Sequence, residues 1–151
     1  MIMKKLISFT LTILLIFSLS GCNKDNQKAD ECAASFVEAM LLRDEEAMTE
    51  YAHPDYIEEA IPDDDFYIEL EKNHFFTLGN ELTAISAMEK SYVNDTSIDG
   101  TLMECIYVVR TNELFYDVEL MILDNDKGYG VIAISAKLNT NPEFYGQSTA
   151  K

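Results

Sequence analysis

Two histidines, three cysteines and a large excess of carboxylates are the side chains of this 151-residue sequence with the potential for chemistry. Cys32 and Cys105 carry the thiols in the body of the chain, but neither has a histidine beside it to act as the base that a nucleophilic cysteine needs. Glu71 and His74 stand one helical turn apart, the spacing used in carboxylate-bridged metal bundles. Such bundles need a second copy and further glutamates from other helices, and the chain has one copy, so no metal site is expected. His53-Pro54-Asp55 reads as a helix stop followed by a cap rather than as an acid–base pair. Asp124-Asn125-Asp126-Lys127-Gly128 begins like a calcium loop, yet Gly128 and Ser135 fall where that loop requires ligands. It reads instead as a hairpin turn. Asp63-Asp64-Asp65 reads as the solvated start of a helix, and no cofactor is expected.

The formal charge is −16, from 11 Lys and Arg against 27 Asp and Glu. A chain this acidic is a poor match for nucleic acid, whose binding depends on Lys and Arg displacing counterions from phosphates. The third cysteine has a different setting. Lys4 and Lys5 form a short basic start, and Leu6 to Leu19 is apolar and uncharged but shorter than the roughly 20 residues of a membrane-spanning helix. Leu19-Ser20-Gly21-Cys22 follows, and it resembles the lipobox of bacterial lipoprotein precursors. The resemblance implies that Cys22 is alkylated by a diacylglyceryl group and that lipoprotein-processing enzymes cut between Gly21 and Cys22. Residues 1–21 are then a signal peptide, and Cys22 anchors an exported protein in membrane lipid. Two acyl chains suffice for stable attachment where one binds only reversibly. Cleavage would remove two lysines and no acid, leaving the mature chain more acidic still.

Any such anchor must carry a folded body. Residues 22–28 read as the lipidated Cys and a polar tether, and a helical stripe begins at Ala29 with Cys32, Phe36 and Met40 and continues through Ala33, Val37 and Leu41. Asp44 suits the N-cap of a short helix from Glu45 to Tyr51. Asp55 and Glu58 have capping-box spacing for another turn of helix to Ala60, before Pro62. Phe66, Leu70, His74 and Leu78 suggest a fourth helix ending at Gly79, although FYIEL is also compatible with a strand. Beyond Gly79 the period changes to two, and Leu82–Val93, Thr101–Thr111, a run centred on Leu114 to Ile122, and Tyr129–Leu138 read as strands of an antiparallel meander. Helices followed by strands indicate an α+β domain over residues 29–138, with N-terminal helices packed on a curved, mainly four-stranded antiparallel sheet and a flexible tail over residues 139–151.

This order, together with Phe36, Met40, Arg43-Asp44, Ala47, Tyr51 and Pro54, resembles small bacterial lipoproteins of the nuclear transport factor 2-like, or cystatin-like, fold. In that fold the first helix packs across the sheet, which would bring Cys32 and Cys105 within reach of a disulfide in an exported protein. The resemblance also implies that an enzymatic site would use an Asp or His with a Tyr inside the cone, and His53, Tyr56, Tyr107, Tyr116 and Asp117 are the residues of those types. The function expected is that of a non-catalytic envelope lipoprotein that binds a small molecule, a peptide or a partner protein, its acidic surface favouring cationic peptides. The alternative is a small isomerase, dehydratase or cyclase using an acid–base residue and a Tyr in the cone pocket.

Overall fold

The computed structural model describes residues 24–72, 82–111, 114–141 and 143. The expected signal segment 1–21, including Gly21, together with Cys22, His74, the expected helix end at Gly79 and the final residues of the tail lie outside the described residues. Among the described residues, no helix is long and apolar enough to cross a membrane.

Helix α1 spans Lys24–Leu42, so it takes in most of the segment expected as a tether. Three interactions explain the early start. Asp25 lies in the first turn, where the helix dipole favours a negative charge. Gln27 donates to Glu31 one turn on at 3.0 Å, and Lys90 of the sheet donates to the Asn26 carbonyl at 3.2 Å. The buried stripe of α1 includes Ala29, Ala33, Phe36, Val37, Met40 and Leu41. Its small members let the backbone lie close to the sheet. Burying Phe36 fully contributes about 1.5–3 kcal/mol. The helix ends with Arg43 in the left-handed region (φ 53°). The N–H groups of Arg43 and Asp44 donate to the Met40 and Ala39 carbonyls, both at 3.0 Å, closing a Schellman motif.

Asp44 then caps α2 (Glu45–Tyr51) by accepting from the Ala47 N–H at 3.0 Å, as its sequence position implies. Helix α3 (Ile57–Ala60) begins without a side-chain cap. Asp55, expected to provide one, stands one residue before the N-cap position, which is Tyr56, and its carboxylate lies 2.6 Å from Lys127 Nζ instead. Helix α4 (Asp64–Lys72) is capped by Asp63, which accepts from the Phe66 N–H at 2.9 Å. The FYIEL segment is therefore helical, with Tyr67 and Leu70 buried.

Strands β1 (Leu82–Val93), β2 (Thr101–Thr111), β3 (Leu114–Asn125) and β4 (Gly128–Leu138) form one open antiparallel sheet in the order β1-β2-β3-β4. Ile85, Cys105, Tyr107, Val109, Tyr116, Val118, Leu120, Ile122 and Val131 face the helices and share one core with α1. Leu102, Leu123 and Ile132 form a smaller cluster, covered by Tyr56 and Ile98. Register shifts occur between Ala87 and Glu89 in β1 and at Met121/Ile122 in the β3–β4 pairing. Shifts of this kind add local twist and reverse the side-chain alternation beyond them.

The tail expected to be loose is tied down at its start. The Asn139 N–H donates to the Phe115 carbonyl at 2.9 Å, its side chain donates to Asp117 at 2.6 Å, and its Oδ1 accepts from the Asn141 N–H at 2.8 Å. A buried Asn with both ends of its amide engaged holds the chain against β3.

Candidate functional site

All four strands contribute to a cleft at the end of the sheet where β2 begins. The pairs Tyr92↔Met103, Met103↔Ile122, Thr101↔Asp124 and Asp124↔Tyr129 are direct cross-strand partners. Directly opposite residues project to the same side, which is here the side that carries α1. Asp25 and Lys28, from the first turns of α1, complete the lining of a cleft of about 140 Å³. The Lys28 ammonium lies 3.6 Å from the centroid of the Tyr129 ring and 3.9 Å from Asp124 Oδ2. The Tyr129 hydroxyl is buried and has no hydrogen-bond partner among the described residues. Burial raises its pKa well above that of a free tyrosine, reinforced by the neighbouring Cys32 and Cys105.

Alongside the cleft is a buried polar knot. Lys90 Nζ lies 2.6 Å from Asp30 Oδ1, with only 11% and 9% of the two side chains exposed. Tyr107 donates its hydroxyl to the same carboxylate oxygen at 3.0 Å. Burial is the main cause that raises the Tyr107 pKa, with Cys105 and Asp30 adding to it. Each member satisfies another, so the first turns of α1 are locked to β1 and β2 by charge-assisted bonds in a low-dielectric setting.

Asp30, Lys90 and Tyr129 are not among the residues that motif and spacing single out. For Asp30 a signal existed, because it shares helical spacing with Ala34, Val37 and Leu41. The other two were concealed by the register shifts. Alternation from Ile85 through Ala87 would point Lys90 away from the helices, but the extra residue at Met88 turns it inward opposite Cys105. In β4, alternation back from Leu138, Ala136 and Ile134 would place Tyr129 outside, and the shift at Ile132 returns Val131 and Tyr129 to the helix side.

The five residues named as an enzymatic pocket do not form one. His53 is fully buried in the link between α2 and α3. Its Nε2 lies 3.0 Å from Asn125 Oδ1, an oxygen that already accepts from the N–H groups of Lys127 and Gly128. Nε2 therefore carries the proton, while Nδ1 accepts from the Asp55 N–H at 3.2 Å. Nε2 thus ties the link to the hairpin, and Nδ1 braces the link itself. Tyr56 meets the His53 ring edge-on at 5.6 Å and packs on the smaller cluster. Tyr107 is in the polar knot. Tyr116 lies deep in the main core, and Asp117, the next residue, projects to the opposite face and receives Asn139. His53 sits at the Asn125 end of β3, and Tyr116 and Asp117 lie near its start, about 30 Å away along an extended strand.

The disulfide implied by the resemblance is not formed. Cys32 and Cys105 are free, buried thiols, and Cys32 Sγ donates to the Tyr51 carbonyl at 3.6 Å. Burial, more than any neighbour, pushes Cys32 up to about 12 and Cys105 up to about 11. Both are protonated at neutral pH, the opposite of an activated nucleophile. The thiol is the uncharged form, so the raised values stabilise the fold in full below the ordinary pKa of 9.0, and that stability is lost as pH rises through about 11 and 12. Tyr107 and Tyr129 act in the same direction. Urea denaturation is thus expected to show stability falling from about pH 9 upward. The Cys32→Ala/Cys105→Ala variant should show a shallower fall. Stability that stays level or increases over that range would refute the assignment.

Among the described residues, no group of three or more His, Cys, Asp or Glu is placed to hold a metal ion. Comparison of the chain with known protein families, with curated proteins and with solved structures finds no match.

Proposed function

We propose that this protein is a lipid-anchored bacterial envelope lipoprotein whose domain, of the nuclear transport factor 2-like type, is a non-catalytic binding module for a small molecule, peptide or protein partner. The observation that carries this reading is the cleft itself. Its lining consists of aromatic faces, apolar side chains and opposite charges, suited to holding a ligand. The thiols of Cys32 and Cys105 lie buried behind Tyr129, protonated and outside the cleft lining, and His53 is buried in the link between α2 and α3.

The anchor agrees with this arrangement. Helix α1 starts at Lys24, two residues after Cys22, and its first turns form one wall of the cleft. A diacylglyceryl group on Cys22 would therefore keep the cleft close to the membrane surface, its partners being membrane lipid through the acyl chains and the processing enzymes through the lipobox. Export of the full chain in a bacterial host, followed by membrane fractionation, tests the anchor. The wild-type protein is expected in the detergent-extracted fraction with a lipid-modified N-terminal peptide by mass spectrometry. Cys22→Ala should abolish that modification and block cleavage after Gly21. An unmodified Cys22 in the mature protein would remove the lipoprotein assignment.

A further inference from the structure

We infer that the cleft beside the first turns of α1 is a binding site for a small aliphatic amine, whose ammonium group takes the place that Lys28 occupies on the Tyr129 ring. This inference rests on the cleft being a binding surface and names the chemistry of its ligand.

The protein already displays the recognition it would use. A primary ammonium on an alkyl stem, that of Lys28, is seated 3.6 Å from the Tyr129 ring centroid with the Asp124 carboxylate 3.9 Å away. An aromatic face with a nearby carboxylate is the usual way proteins hold organic cations. Lys28 is not locked there. About half of its side chain and of Asp124 is exposed, at 54% and 56%, and such solvated pairs are weak and readily exchanged. The remaining walls suit the rest of the ligand. Met103 and Ile122 provide an apolar floor, and Tyr92, itself 59% exposed, offers a second ring. A volume of about 140 Å³ is close to that of a cavity of about 150 Å³ that accepts benzene, and so is suited to a short alkyl chain. The net charge of −16 raises the local concentration of cations around the whole domain and speeds their arrival.

Competition between the internal and external ammonium groups gives a sharp test. The full chain would be titrated with pentylamine by two-dimensional NMR, with 1-pentanol as the neutral isostere and Nα-acetyl-lysine amide as a peptide-borne ammonium. Pentylamine is expected to shift Lys28, Tyr92 and Tyr129 resonances, with affinity that falls as salt is added. Lys28→Met, which keeps the stem and removes the charge, should bind pentylamine about tenfold more tightly by freeing the occupied site. Asp124→Asn should weaken binding several-fold without changing the melting temperature appreciably, and Tyr129→Leu should abolish it, with folding of each variant checked by circular dichroism. Equal binding of 1-pentanol would overturn the ammonium assignment while leaving the cleft as a ligand site. No binding of either compound, or shifts located elsewhere, would overturn both. Tighter binding of the lysine amide than of pentylamine would overturn the free amine in favour of a peptide side chain. An unchanged affinity in Lys28→Met would overturn the displacement mechanism.

Discussion

Lys90→Met is expected to destabilise the domain by about 3–5 kcal/mol, the usual cost of removing one partner from a buried ion pair. The loss comes less from the missing attraction than from what remains. Asp30, 7% exposed, would be left in a site from which water is largely excluded, with the Tyr107 hydroxyl still donating to it, and the Asn26 carbonyl would lose the bond from Lys90. The N-terminal turns of α1 would be released from β1 at the same time. A compensated variant separates these effects. Combining Lys90→Met with Asp30→Leu and Tyr107→Phe removes every charged or hydroxyl member of the knot, and buried pairs replaced as a set by apolar groups are often close to neutral. The triple variant should therefore recover most of the stability lost by the single one. Urea midpoints at neutral pH decide the matter: a single-variant loss below about 1 kcal/mol, typical of an exposed pair, would show that the knot is solvated.

The second large effect is expected at Gly130. A Cβ there would lie 2.5 Å from Ala52 C, 2.5 Å from His53 N and 2.7 Å from Tyr51 O. All three atoms are backbone, so no side chain can swing away. This is the point where the link after α2 runs directly against β4, forming the parallel bridge Ala52↔Val131 and the His53 N–H to Val131 carbonyl bond at 2.9 Å. Gly130→Ala must push the link off the strand. Overpacking of this kind costs about 1–3 kcal/mol, and the lost hydrogen bond adds about 1 kcal/mol. The displaced link should also disturb the His53–Asn125 contact, so the imidazole resonances of His53 should move and its amide should exchange faster. Wild-type stability with an unmoved His53 would show that the link yields to a methyl group at little cost.

Much of the architecture was legible in the chain. Strands β1 and β2 have the bounds that their alternation implied. The Asp44 cap of α2 follows from local chemistry that needs no tertiary information. The turn at Asn125 is similar, since a short amide side chain can satisfy the backbone N–H groups just ahead of it. Where local reading failed, contacts remote in sequence are found. Helix α3 has its N-cap at Tyr56, one residue after Asp55, and Asp55 pairs with Lys127, remote in sequence and adjacent in space. Helix α1 extends through the expected tether because Lys90, from the sheet, binds both Asp30 and the Asn26 carbonyl.

The division between the two levels follows from the range of the forces involved. Periodicity, caps and turns act over a few residues, so the α+β order of helices and antiparallel strands, the acidity of the chain and the resemblance of Leu19-Ser20-Gly21-Cys22 to a lipobox can all be read along the sequence. Which face a strand residue occupies depends instead on register, and one extra residue reverses every position beyond it. The shifts near Met88 and Ile132 turn Lys90 and Tyr129 toward α1, and the same packing separates His53 from Tyr116 and Asp117 and leaves Cys32 and Cys105 as unbonded thiols. The residues of the cleft and the knot thus come together only through strand pairing and helix docking, which set distances that no spacing in the chain records.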